Sequence, residues 1–346
     1  MKGVFFSASI PSKYEIRDFD IPTPDDDEVL IKNVAVASNP KDWKLIKWIQ
    51  GWEAIEGNDV CGHVEAVGSK VTEFKKGDKV AAFSIMAKDV KYGAYAEYTV
   101  APAHTTWHVA ESTPYEDAAT LPLAVMTAQI GLFKRLALHT PPEDGSDALS
   151  NGEVVVVNGA ASSVGSFAVQ LAKKAGYAVV GTAGSSAKVA QDLGAHVVDY
   201  RGKSDDELAE AIKEAVAKLG QLAGTFDAVS TDSTVDLLAK IVDGSGGGLI
   251  TTVLPTRGEE KPDSLPSSVK VARTMVGTAH SDDSEFAAKW YRIIGSWLDQ
   301  SKFKANNVKV LPGGLDGVAQ GMDLLEQGKV NGVKLVYRIS ETKSLQ

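Results

Sequence analysis

Short β-rich apolar runs, broken by polar residues, open the chain: VFF from Val4, EVLIKNVAVA ending at Ala37, then HVEAV, DKVAAF and YAEYTV. Runs of this kind mark strands, and the Pro and Asp cluster PTPDDDE, with Gly68, Gly77 and Gly93, supplies the turns between them. Helices are scarce here, and the first ~120 residues read as a compact, barrel-like β domain.

After Thr120 the pattern changes. LPLAVMTAQIGLFKRLAL is an apolar, helix-like stretch, PPEDGSDALSNG is a polar loop, and the run Val154–Val157 is a buried strand feeding a Gly/Ala/Ser turn and the helix SFAVQLAKKAG. AVVGTAG, HVVDY, FDAVSTD and GGLITTVLP then alternate as strands with helical segments, the rhythm of a parallel sheet with crossover helices. Ser204 with Glu207 forms a capping box, and Leu208, Ile212, Ala215, Val216 and Leu219 make one apolar stripe behind it. The tail carries a helix with Phe286, Trp290, Ile293, Ile294 and Trp297 on one face, then a further helix and a last strand, KLVYRI, returning to the first domain. The expected α/β division is a β domain at 1–123 completed by 281–346 and a doubly wound, parallel-sheet domain at 124–280, with 255–270 as a loop.

Composition narrows the partners. Lys+Arg 36 against Asp+Glu 45 gives a net charge of −9, a field that repels polyphosphate, so nucleic acid is not expected. Cys61 is the only cysteine, which excludes an internal disulfide and any zinc site of clustered thiolates and fits a reducing compartment. No apolar run approaches the roughly 18 residues that a spanning helix needs, so no membrane association and a cytoplasmic location are expected.

The turn after Val157 reads NGAASSVGS, and a strand feeding such a turn into a helix offers backbone N–H groups and a positive dipole end to a pyrophosphate. Ser162 and Ser163 stand where glycines would allow the closest approach, so a turn needed only for helix–sheet packing is the other reading. The next strand ends GTAGSSAK, without the acidic residue that accepts ribose hydroxyls. Ser185, Ser186 and Lys188 offer instead donors and a positive charge for a 2′-phosphate, which favours NADPH over NADH. Lys188 by itself also fits a solvated helix lysine.

Over its whole length the chain resembles the medium-chain dehydrogenase/reductase superfamily, in its quinone-oxidoreductase (zeta-crystallin-like) and enoyl-reductase branches. GNDVCGHVEAVGSKVTEFKKGDKV resembles the signature segment of the β domain, LPLAVMTA the entry to the cofactor domain, and LGAHVVDY the third-strand motif whose Tyr200 flanks a 2′-phosphate. The resemblance implies a GroES-like β domain built from both chain ends, a Rossmann domain, a homodimer or higher oligomer, and a cleft between the domains for nicotinamide and substrate. It further implies cofactor contacts from Asn39, Pro40, Thr127, Ser162, Ser163, Val164, Ser185, Lys188, Tyr200, Leu254 and Lys334.

Departures from the zinc-dependent branch matter as much. Asn39 and Asn58 occupy the places of its first cysteine and of the histidine of its GHE motif, and a catalytic zinc normally needs three protein ligands, so no metal is expected. His63 reads as a structural histidine and Cys61 as a small buried hydrophobe.

Without a Lewis acid, hydride transfer is expected to reach acceptors that delocalise charge themselves, namely quinones and activated enones. NPKDWKLIKWIQGW resembles the quinone-reductase NP-x-D-W-K motif, which implies that Asn39 and Asp42 shape the nicotinamide side and that Trp43, Trp48 and Trp52 give aromatic surface to the acceptor. Core or interface packing is the alternative for Trp48 and Trp52. No tyrosine lies between Tyr14 and Tyr92 to act as proton donor, which leaves Lys44 or solvent. The main expectation is an NADPH-dependent quinone reductase. The ending VNGVKLVYRI also resembles fungal trans-acting enoyl reductases that serve polyketide synthases, and a third possibility is an NADPH-binding protein with little turnover.

Overall fold

The strand Glu28–Ala37 is buried at nearly every position and has paired neighbours on both edges. Antiparallel neighbours are Asp59–Val67 on one edge and Tyr98–Pro102, then Lys334–Arg338, on the other. Gly62 lies where these backbones come closest: a Cβ there would collide with the Lys32 carbonyl, beside an irregularity in register between Asn33 and Ala35. Lys79–Phe83 and Thr106–His108 extend the same sheet, and Val308–Val310 adds a parallel edge to Lys334–Arg338. A second, three-stranded sheet joins Tyr14–Asp18, Lys2–Ser7 and Glu53–Ile55. The computed structural model, which describes residues 1–86 and 89–345, groups these strands in one compact unit, Met1–Leu123 with Gly277–Gln346.

One helix of this unit was not anticipated. Pro40–Trp48 starts from Asn39, whose N–H donates to Asp42 Oδ2 at 2.8 Å, with proline at the first helical position. Leu45 and Ile46 face the core, while Lys44, Lys47 and Trp48 do not.

The second unit, Ala124–Val276, holds six parallel strands in the order His196–Asp199, Ala178–Ala183, Glu153–Asn158, Gln221–Asp227, Gly248–Thr252, Val269–Arg273. Val154 to Val157 are fully buried, as a strand covered on both faces requires. The chain runs outward from Glu153–Asn158 in both directions, so the strand order reverses beside that strand, where doubly wound sheets open a crevice. Ser204 and Glu207 form the expected reciprocal cap. Leu208, Ile212, Ala215 and Val216 bury against the sheet, whereas Leu219 is 41% exposed because the helix ends at Gly220. The segment 255–270 is not a plain loop: it contains the short helix Arg257–Glu260 and leads into the sixth strand. Among the described residues no helix is long and apolar enough to cross a membrane.

Candidate functional site

In the second unit the expected phosphate turn stands at the carboxyl end of Glu153–Asn158. Gly159 takes φ +73, and a Cβ on Gly165 would collide with its carbonyl, so the helix Ser163–Lys174 starts directly against the turn. Ser162 is the cap: its Oγ accepts from Gly165 N at 3.0 Å, with Ser163 and Val164 forming the first helical positions. The Ser162 side chain thereby caps one of the helix's first N–H groups, that of Gly165.

Past the next strand, Gly184 is covered by Tyr200, whose phenol oxygen would stand 2.6 Å from a Cβ at 184. Tyr200 remains 49% exposed and lies beside exposed Ser185. Only a residue without a side chain accepts that ring, and the arrangement brings Ser185 and Tyr200 together. Lys188, one turn on, is 82% exposed and pairs with Asp192 at 2.8 Å. The nearest strand-end acid, Asp199, is gripped by Arg201 through both its backbone N–H and its guanidinium, which hold the carboxyl down at about 2. Thr127 is buried in the helix Pro122–Gln129, and Leu254 is half-buried just beyond Gly248–Thr252.

Residues the sequence reading missed tie these strand ends together. Thr182 Oγ1 donates to Asn158 Oδ1 at 2.5 Å, Asn158 Nδ2 donates to Asp227 Oδ1 at 2.8 Å, and the same carboxylate accepts from Val229 N and Ser230 N, both at 3.0 Å. Ser230 is thereby held at φ 59, a conformation that costs a non-glycine residue of order 1–3 kcal/mol. The available signal was polar residues ending successive apolar strands.

In the first unit, Asn39 and Lys334 are brought together by a residue not anticipated, Asp59. Lys334 Nζ donates to Asn39 Oδ1 at 2.6 Å and lies 2.9 Å from Asp59 Oδ2, which also accepts from Asn39 Nδ2 at 2.8 Å. All three are buried. Asn58 is buried too, its Nδ2 donating to Ser84 O at 3.0 Å while its Oδ1 has no hydrogen-bond partner among the described residues.

Asp42 belongs to a different cluster. It accepts from Tyr95 Oη at 2.5 Å and lies 3.0 Å from Lys41 Nζ, which also reaches Glu56 at 2.9 Å. Trp52 is buried and donates from Nε1 to Glu56. Burial raises the Glu56 pKa despite Lys41. Asp42 and Trp52 thus support the helix from beneath. Lys44 Nζ lies 5.6 Å from the ring centre of Trp43, which packs half-buried against the core, and 5.3 Å from that of Trp48, which is 55% exposed. No carboxylate among the described residues pairs with Lys44, and burial lowers its pKa. His63, Nε2 to Tyr115 Oη at 2.9 Å, is held in a local hydrogen bond, and burial raises the Cys61 thiol pKa. Among the described residues no three His, Cys, Asp or Glu gather as a metal site.

Residues 25–111 match the family model of the alcohol dehydrogenase GroES-like domain, and 163–294 match that of the zinc-binding dehydrogenases. A trans-enoyl reductase of Alternaria alternata, ACTTS2, is 32% identical over 338 residues, 94% of this chain and 95% of that protein. The chain belongs to the medium-chain dehydrogenase/reductase superfamily. Among solved structures, the Pseudomonas syringae quinone oxidoreductase is 26% identical with a TM-score of 0.76, covering 97% of this chain and 99% of that one. A mycobacterial protein solved with NADPH, Rv1454c, shares the fold at TM-score 0.78 and 24% identity, covering 98% of this chain and all of that one. The superfamily's GroES-like and Rossmann-like parts are both present, and the chain is an oxidoreductase by descent.

Proposed function

We propose that this protein is an NADPH-dependent, zinc-independent enoyl reductase that acts in trans on an enoyl group carried by a polyketide-type acyl chain. The observation that carries the reading is the end-to-end similarity to trans-enoyl reductases, exemplified by the Alternaria relative. It moves the weight from quinones, the main expectation from sequence, to what was there the alternative.

NADPH fits the second unit: the Ser162-capped helix start suits a pyrophosphate, and Gly184, Ser185 and Tyr200 form a cradle without a carboxylate, with Lys188 one turn away to approach a 2′-phosphate. In this reading Thr127, Ser163, Val164 and Leu254 line the cofactor within the second unit. When bound, NADPH supplies the hydride. Reduction of a conjugated double bond places hydride on the β-carbon and leaves negative charge shared between the α-carbon and the carbonyl oxygen, after which the α-carbon takes a proton. Lys44 is the group suited to that proton: an ammonium with no carboxylate partner among the described residues, eased toward release by burial and near two indoles. Trp43 and Trp48 orient a planar conjugated acceptor and exclude water from it. A homodimer forms part of the proposal, and sedimentation measures it.

The test is turnover of NADPH with a crotonyl thioester of pantetheine against 9,10-phenanthrenequinone. A higher kcat/KM for the thioester supports the enoyl reading. Turnover of the quinone alone returns the protein to the quinone reductases, and NADPH binding without turnover of either makes it a binding protein.

A further inference from the structure

Asparagine followed by glycine is a reactive pair, because the glycine nitrogen, unhindered by a side chain, can attack the carbonyl carbon of the asparagine side chain. Three such pairs occur in this chain: Asn151–Gly152, Asn158–Gly159 and Asn331–Gly332. Residue order alone does not separate them. Their surroundings do, through the hydrogen bonds that already hold each amide and each attacking N–H.

Asn158 is 5% exposed and held on every side: its Oδ1 accepts from Thr182 Oγ1, its Nδ2 donates to Asp227 Oδ1, and Gly159 N donates to Thr182 Oγ1 at 3.0 Å. Asn151 is exposed but clamped. Its Oδ1 accepts from Glu153 N at 3.0 Å, its Nδ2 donates to Glu153 Oε2 at 2.9 Å, and Gly152 N donates weakly to Ser150 Oγ at 3.5 Å. Either amide must break both of its hydrogen bonds before its carbonyl carbon can swing onto the backbone nitrogen.

Asn331 has neither restraint. It is exposed and outside any helix or strand, and neither its side chain nor Gly332 N makes a hydrogen bond among the described residues. The fixed points come after it: Asn307 Nδ2 donates to Gly332 O at 3.2 Å, and Asn307 O accepts from Lys334 N at 2.7 Å. A free amide therefore stands next to a free N–H on an anchored peptide.

We infer that Asn331 is a site of spontaneous covalent modification in the folded protein, converting to isoaspartate and aspartate. Gly332 N bonds to the side-chain carbonyl carbon of Asn331 and gives up its proton while the C–N bond of the amide breaks, so that ammonia leaves and a succinimide ring closes. Water then opens the ring at one of its two carbonyls. One opening leaves aspartate in the original main chain, and the other routes the main chain through the former side chain, as isoaspartate with an extra main-chain carbon. In sum one water is consumed and one ammonia released, and a negative charge replaces a neutral amide. The extra carbon falls just before the strand Lys334–Arg338, whose pairing with Val308–Val310 spans only three residues.

The experiment ages the full-length protein in warm, mildly alkaline buffer, maps its peptides by mass spectrometry, and counts isoaspartate with a protein isoaspartate methyltransferase and labelled S-adenosylmethionine. In the folded protein, acid is expected at 331 about tenfold faster than at 151 or more, since two hydrogen bonds hold the latter amide, while 158 stays an amide. In urea, where those restraints are gone, the three sites are expected to react within a few-fold of one another. Reaction at 151 or 158 as fast as at 331 in the folded protein overturns the inference. So does an amide at 331 that outlasts the same amide in urea by tenfold or more. Asn331→Gln, whose longer side chain closes a less favourable ring, is expected to bring methylation of the aged folded protein down to background, and methylation that persists in this variant also overturns the inference.

Discussion

Tyr200 lies over Gly184 so closely that a Cβ at 184 would stand 2.6 Å from its phenol oxygen. The contact joins the ends of two adjacent parallel strands and makes the glycine at 184 a consequence of the tyrosine at 200. Gly184→Ala is expected to push the ring aside and to weaken NADPH several-fold more than NADH, since only NADPH carries the 2′-phosphate this cradle would meet. Titration of both nucleotides measures it, and equal losses would remove Tyr200 from the phosphate site.

Lys188 is paired with Asp192 and largely exposed, so its contribution to a 2′-phosphate competes with an existing partner. Lys188→Ala should weaken NADPH by about tenfold or less and leave NADH unchanged. Asp192→Ala, which frees the ammonium, should tighten NADPH. A loss of NADPH affinity in Asp192→Ala contradicts this role.

If Lys44 delivers the proton, the rate of enoyl reduction must fall as pH rises through its pKa. Burial lowers that pKa, so the alkaline limb should appear below the range of an ordinary lysine near 10.5. Lys44→Met should remove the limb and lower kcat by about 10²-fold or more, the usual scale of a general acid. A pH profile of the Lys44→Met protein that keeps the parent's alkaline limb would assign the proton to solvent.

His280 stacks on Phe83 at 4.7 Å, and burial with the nearby His104 pushes its pKa down to about 4. Below pH 6.5 the unfolded chain accepts a proton that the folded one refuses, so stability falls as pH drops from 6.5 toward 4, by roughly 3 kcal/mol for this group. Urea melts at pH 7 and pH 4.5 should show less acid loss in His280→Gln than in the parent. Equal losses would place the acid sensitivity elsewhere.

Asn39 and Asn58 are committed to Asp59, Lys334 and Ser84 rather than arranged around an ion. Activity is therefore expected to survive dialysis against EDTA. Elemental analysis finding one zinc per chain, with activity lost on chelation, would overturn the zinc-independent reading.

Periodicity alone determined much of this protein. The β-rich run EVLIKNVAVA and the unbroken apolar run Val154–Val157 both specify strands, and the second one a strand covered on both faces, because an apolar run bounded by turns is written directly into residue order. The capped helix at Ser204 was equally legible, since a capping box is a local device closed within four residues. Helix Pro40–Trp48 escaped because its buried side is only Asp42, Leu45 and Ile46, too short an apolar stripe to announce itself. Strand Val269–Arg273 escaped because it is an edge strand whose burial comes from one neighbour. The cluster of Asn39, Asp59 and Lys334 could not be read at all as a cluster: 295 residues separate Lys334 from Asn39, and only the pairing of the last strand with Glu28–Ala37 brings the ammonium to the carboxylate. Tertiary structure likewise decided that Trp52 is buried while Trp48 is exposed, because equal side chains in one short segment differ only in which side of the helix and turn the core occupies.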